Sequence, residues 1–345
     1  MKQNLYFSRK NTCVSFILSI FVLYIHANNL NYYAENIVLS KTIETFIGGR
    51  IGDIIVPTFF MISGFLFYRN INVQSNCKEI ISSKLKKRFH SLVIPYLFWN
   101  TFGTFFYMVI PRVPKIGTMI SGGAASVTLS NMFEGIFHFK YYFPLWYLFY
   151  LIILVYIAPI LVWLLKNKKM CVVVLSLLAM GYLVKFELPI LSCGSLFFYI
   201  LGAYLAVYNK EFWMKKEEDS RAFVYLCLLF LMTFFRFFYI ENIVGRLFYL
   251  ISPVFLWKSF DVLSYKTKPS EFMGQSFFIY CAHIIPLTMI NKIFVKLFDK
   301  MPSDFSAVIS YMMSPLCALA LLFVIYWLLV TYCKKIYILV SGGRI

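Results

Sequence analysis

Two histidines fall in strongly apolar surroundings, where an imidazole is most able to do chemistry. His26 closes the stretch TCVSFILSIFVLYIH, which carries no formal charge before that ring and follows Arg9 and Lys10. His283 lies inside QSFFIYCAHIIP. At membrane depth an ionisable side chain is costly and faces the bundle interior or a water-filled cavity. With an unperturbed pKa of about 6.5, histidine there suits proton transfer or nucleophilic attack. Both rings also have a plain structural reading: His26 as an interfacial imidazole bonded to a neighbouring helix, His283 as a buried ring satisfied by one hydrogen bond. A second set of residues suits anions. Lys84, Lys86, Lys87 and Arg88, in KLKKRFHSLVIPYLFW, form a cluster fit for a phosphate-bearing ligand or for a solvated rim facing lipid. Ser63, beside Gly64 in PTFFMISGFLFY, offers a hydroxyl where small residues let helices approach. Trp146 and Tyr147, in FPLWYLFYL, stand at an outward interface, where an aromatic belt also accounts for them.

The elements that must position these side chains are set by composition. Of 345 residues 61% are hydrophobic, only 14% are charged, and the mean hydropathy is +0.74. That balance excludes a soluble domain and implies an all-α, polytopic membrane bundle. Ten apolar runs follow, at 12–27, 54–68, 92–110, 145–165, 170–184, 188–207, 222–240, 244–257, 272–297 and 305–333. Some are shorter than the roughly 20 residues a bilayer core takes. The connecting segments alternate between basic and poor in Lys and Arg. The basic ones include Arg9 and Lys10, the 69–90 segment, Lys166–Lys169 and Lys334–Lys335. Cytoplasmic loops carry that excess, so about ten spans with both termini cytoplasmic are expected. The whole chain, 1–345, reads as one membrane domain, multi-pass in the cell inner membrane.

The net charge of +18 would suggest nucleic acid in a soluble protein. Here it orients helices and meets anionic membrane lipids, and no nucleic-acid partner is expected. The basic, apolar N-terminal stretch lacks a small-x-small cleavage site, so an uncleaved first span is expected. Eight cysteines show neither a disulfide framework nor metal-ligand spacing, and no metal or bound cofactor is expected.

The segments FFMISGFLF, KLKKRFHSLVIPYLFWN, PLWYLFYLIIL, GSLFFYILGAYLA and SFFIYCAHIIPL, in this order, resemble the acyltransferase 3 family. That family comprises bacterial integral-membrane O-acyltransferases of surface and capsular polysaccharides, O-antigen and related glycans. The resemblance implies that His26 is the catalytic first-span histidine and that the basic motif, at Lys87 and Arg88, serves an acyl-CoA co-substrate, commonly acetyl-CoA; Lys84 and Lys86 add cations of the kind its phosphates need. The acceptor it implies is a glycan or lipid-linked sugar on the outward side. Two departures from the family pattern stand out. Ser15 occupies the position of a usual basic residue eleven before the histidine. Trp146, Tyr147, Leu148, Phe149 and Tyr150 replace the usual Trp-Phe-Leu-Arg-Asp. Arg236, near the outward end of the seventh run, reads either as a substitute for the absent arginine, with Glu44 and Asp53 as the available acids on the same side and Glu241 poorly spaced for it, or as an arginine that snorkels to the outer headgroups. Two readings of other classes accompany the enzyme: an altered family member serving as an accessory subunit of glycan assembly, and a glycan or lipid transporter. A transporter should show discontinuous helices in paired halves, and no internal repeat is evident.

The topology is checked by labelling. A cysteine introduced at Lys115 should react with a membrane-impermeant thiol reagent added outside intact cells. Protection of that thiol would overturn the ten-span arrangement.

Overall fold

Proline and charge decide where the apolar runs of this chain bend and where they stop. In a computed structural model the described residues are 2–27, 38–113, 126–186, 188–238, 243–263, 265–298 and 303–344, and all their regular structure is helical. The α-helices are α1 Lys2–His26, α2 Val38–Glu44, α3 Gly52–Tyr68, α4 Lys78–Arg88, α5 Ile94–Val109 and α6 Leu129–Phe137. They continue as α7 Trp146–Tyr156, α8 Ala158–Leu165, α9 Lys168–Leu183, α10 Cys193–Tyr208, α11 Lys210–Met214 and α12 Asp219–Phe238. The last are α13 Ile243–Ser259, α14 Ser276–Ala282, α15 Ile284–Phe298, α16 Asp304–Tyr332 and α17 Lys334–Val340.

Each of the ten apolar runs is helical over most of its described residues, but their limits differ from the sequence reading in informative ways. The second run extends back through a π-helical turn, Thr45–Ile51, into one helix from Val38 to Tyr68. Glu44 and Asp53 therefore lie within a helix rather than in a loop flanking it. The third likewise joins α4 through the π-helical turn Phe89–Val93, from Lys78 to Arg112. The cations at 84–88 sit on a helix, because Lys and Arg are good helix formers once outside the apolar zone. Lys115 and Glu241 lie outside the described residues.

Two runs are broken. The fourth bends by 60° between Tyr156 and Ala158, and the ninth by 77° between Ala282 and Ile284. Proline explains both, since it lacks an N–H and its ring crowds the carbonyl four residues back. Pro159 acts on Val155 and Pro286 on Ala282. Among the described residues, five helices are long and apolar enough to cross a membrane, and seven segments are if each bent pair counts once. A helical membrane protein follows from that.

Contacts divide the chain into two compact units. One comprises Met1–Ser15, Asp53–Lys87 and Tyr150–Pro269, and the other Phe16–Gly52, Arg88–Phe149 and Ser270–Ile345. In the first, α3 and α10 meet backbone to backbone. A Cβ on Gly64 would fall 2.1 Å from the Tyr199 carbonyl oxygen, and one on Gly202 would fall 2.0 Å from that of Met61. The small residue beside Ser63 thus serves close approach, as its type suggested. Around Lys10 in this unit Trp213 and Trp257 stack at 4.7 Å, with Phe7 against Trp257 and Phe65 against Trp213. Lys10 is buried over Trp257, 4.4 Å from its ring centroid, and its Nζ lies 2.7 Å from Asp261 Oδ1. Both members of the pair are at most 1% exposed. Tyr6 also donates to Asp261, and so does the backbone N–H of Glu217, at 3.3 Å. Burial pulls the Lys10 ammonium down to about 8, with Asp261 opposing the shift. Sequence reasoning treated Lys10 as a topological flank; tertiary packing makes it an interior ion pair.

In the second unit α1 and α14 run side by side and in the same direction. Ser19 donates to the Ser276 carbonyl at 3.3 Å, and seven residues on in both helices His26 meets His283. Helix α16 runs the opposite way along them, with Tyr24 donating to the Met312 carbonyl and Phe272 packing on Phe323. A capping box at Ser303 starts α16, and the Asp304 carboxylate accepts the N–H groups of Leu39 and Ser40 at 2.6 and 2.7 Å. N–H groups at the start of α2 are satisfied in that way.

Removing one partner of a buried ion pair leaves an uncompensated charge, at a cost of about 3–5 kcal/mol. Lys10→Met should lower the melting temperature of the protein in detergent. Adding Asp261→Leu to it should restore most of the loss, and a double variant no more stable than Lys10→Met would contradict a direct pairing.

Candidate functional site

The second unit holds the two imidazoles together. Their ring centroids are 5.1 Å apart with planes tilted by 36°. His26 is the last residue of α1, and several contacts fix the final turn that carries it. The Tyr24 hydroxyl donates to the Met312 carbonyl at 3.1 Å, and the Tyr311 hydroxyl donates back to the Tyr24 carbonyl at 3.2 Å. Glycines 48 and 52 let the neighbouring helical segment close on that turn. A Cβ on Gly48 would lie 3.2 Å from the Tyr24 oxygen, and one on Gly52 would lie 2.7 Å from Ile25 Cγ1.

His283 is the residue at the break itself, between α14 and α15, and it is fully buried. Its Nδ1 lies 2.7 Å from the Tyr280 carbonyl oxygen. A carbonyl can only accept, so Nδ1 carries the proton and Nε2 bears the lone pair. That Nε2 is buried and has no hydrogen-bond partner. Tyr280 is held in turn by donating its hydroxyl to the Pro144 carbonyl, and Tyr147 packs edge-on against it at 5.5 Å. Tyr147 is thus inside the unit, contrary to the aromatic-belt reading, and forms with Tyr280, His283 and His26 a continuous run of rings. Trp146 opens α7 and is half-buried. Glu44 ends α2, also buried.

Arg236 and Asp53 belong to the first unit and pair at 2.7 Å, Nη2 to Oδ2. The guanidinium is 6% exposed and lies 5.2 Å from the centroid of Tyr249, on which Tyr182 stacks at 5.0 Å. A partner on another helix was expected for Arg236, and of the two acids considered Asp53 supplies it. Ser63 is half-buried in the same unit.

The cation cluster occupies the end of α4. Lys86 and Lys87 are exposed, whereas Lys84 turns back to donate to the Phe67 carbonyl. Arg88 is joined in the second unit by Arg344, which the sequence reads only as a basic residue of the C-terminal segment. Arg344 donates to the carbonyls of Ser91 at 3.1 Å and Ser341 at 2.8 Å, and lies 3.8 Å from the Phe277 ring centroid. Burial, then the charge of Arg88, pulls its guanidinium down to about 10. A turn at Gly342 and Gly343, with φ of +65° and +77°, brings it there. Nothing local in the sequence marks Arg344, but Pro286 three residues after His283 does mark the break.

Among the described residues no group of three or more His, Cys, Asp or Glu side chains is arranged to hold a metal ion. Within the second unit the two imidazoles lie side by side on helices. The sequence profile of the acyltransferase 3 family, described as an acyltransferase domain, matches residues 14–334. This chain belongs to that family and is a membrane acyltransferase. No curated protein and no solved structure matches it.

Proposed function

We propose that this protein is an O-acyltransferase of the cytoplasmic (inner) membrane, with about ten spans and both termini cytoplasmic. It takes an acyl group, acetyl in the simplest case, from cytoplasmic acyl-CoA. The acceptor is a sugar hydroxyl of a surface or capsular polysaccharide, an O-antigen or its lipid-linked precursor. The observation that carries this reading is the pairing of His26 with His283 in a chain of this family. The shared direction of α1 and α14 supports the span count, since first and ninth spans must run the same way.

A sugar hydroxyl is a poor nucleophile at neutral pH. In the proposed reaction His26 accepts its proton as the oxygen attacks the thioester carbonyl. The C–O bond forms, the C–S bond breaks, and the proton passes from the imidazolium to the departing thiolate, so that ester and CoA thiol result. Lys86, Lys87 and Arg88 provide cations for the phosphates of CoA, and Lys84 lines the same helix end. Arg236, Asp53, Glu44, Trp146 and Tyr147 are the residues we assign to the acceptor side.

His26→Ala should abolish acylation of the surface glycan while the protein still accumulates in the membrane. A general base contributes on the order of 10²–10⁴ in rate, so mass analysis of the glycan reads the loss easily. Normal acylation in that strain would rule out His26 as the base. Replacing Lys86, Lys87 and Arg88 together by Gln should raise the KM for acyl-CoA in membrane vesicles. Each charge-assisted hydrogen bond to a phosphate is worth roughly 1.5–3 kcal/mol. Unchanged donor dependence, with orientation verified in the same vesicles, would reduce the cluster to a signal for topology.

A further inference from the structure

We infer that His283 is a positioning residue for His26: its unprotonated, unpartnered Nε2 is the acceptor available to the N–H of the His26 ring, and engaging it fixes the tautomer that leaves the opposite nitrogen of His26 free to take a proton. The role rests on the acyl-transfer reading above and adds to it the partner that makes His26 a base.

Four observations carry it. The Tyr280 carbonyl, 2.7 Å from Nδ1, commits His283 to a single tautomer, with the lone pair on Nε2. Nε2 is buried without a partner, an unfavourable state that a hydrogen-bond donor relieves. The neighbouring ring that can supply an N–H is His26, with centroids 5.1 Å apart. The break in the helix places His283 there by ending α14 at that residue, and Tyr280 is anchored through its own hydroxyl to Pro144. Because Nε2 is closed off from solvent, a substrate hydroxyl does not reach it, and His283 acts through His26.

A ring held in this way differs chemically from a space-filling one. When His26 takes the acceptor's proton it becomes an imidazolium, and the bond to His283 Nε2 strengthens as charge develops. The interaction therefore belongs to the transition state, and its loss lowers kcat with little effect on KM. Outer partners that orient metal-ligating histidines are typically worth about 10–100-fold in affinity or activity, and a similar factor is expected here.

The experiment compares His283→Leu and His283→Gln with the wild type, reading CoA release and glycan acylation in vesicles. A second readout, ¹⁵N NMR of histidine-labelled protein in detergent, reports the tautomers of the four imidazoles. His283→Leu should lower kcat by about 10–100-fold with KM for acyl-CoA unchanged. His283→Gln keeps a carbonyl acceptor and should recover part of that activity. In the spectra His283 of the wild type should be protonated on Nδ1, and His26 should pass from one tautomer to a mixture in His283→Leu. Full activity in His283→Leu, equal loss in the Leu and Gln variants, or an unchanged His26 tautomer would overturn the role. If wild-type vesicles transfer no acyl group at all, the acyltransferase reading fails by itself, and the spectra still decide whether His283 fixes the His26 ring.

Discussion

A backbone polar group buried in an apolar medium has to find a partner, and proline takes one away. In this chain Pro286 removes the bond that the Ala282 carbonyl would receive, and the helix turns by 77° at His283. Non-helical backbone at such depth is tolerated where it is enclosed by protein. The enclosure here is local: Nδ1 of His283 serves the Tyr280 carbonyl, the Tyr280 hydroxyl serves Pro144, and the Tyr142 hydroxyl serves Cys281 at 2.8 Å. One consequence of repairing the break is a histidine with a fixed proton and a bare nitrogen. Structural repair and chemical poise come from the same hydrogen bond.

The same economy shows in the packing around His26. Glycines 48 and 52 give up side chains so that a helix can lie against the last turn of α1, while Tyr24 and Tyr311 lock that turn to α16. A side chain that must hold a proton to within a few tenths of an ångström needs neighbours of this kind, because a lone helix end frays. In the other unit glycines 64 and 202 do the equivalent for α3 and α10, where van der Waals contact and not hydrophobic exclusion drives association within lipid.

Charge is handled in two ways. Many Lys and Arg stay at helix ends, as Lys86, Lys87 and Arg88 do on α4. A few are taken inside: Lys10 with Asp261, and Arg236 with Asp53. Interior pairs of this type gain little net stability against apolar replacements of similar volume, but they are costly to break singly. Lys10 and Tyr6 on α1 both reach Asp261, which ties the basic end of the first helix to the segment after α13.

The sequence by itself determined the helical membrane class, the position of every apolar run, the family and the two imidazoles, because hydropathy and local motifs are properties of neighbouring residues. It also marked Arg236 as a cation that has to reach water, pair with an acid or stack on aromatic rings. What it left open were relations between residues far apart in the chain. The meeting of His26 with His283, the choice of Asp53 over Glu44, the burial of Lys10 and Tyr147, and the approach of Arg344 to Ser91 all depend on which helix faces lie together. A helix interior offers the same period of side chains to any neighbour, so periodicity cannot select the partner. Helix limits were also misread at 38–53 and 78–91, since polar residues that interrupt an apolar run need not interrupt a helix. The tautomer of His283 was the last thing decided. It required a carbonyl three residues away to be turned toward the ring, which only the bend at Pro286 and the packing of Tyr280 bring about.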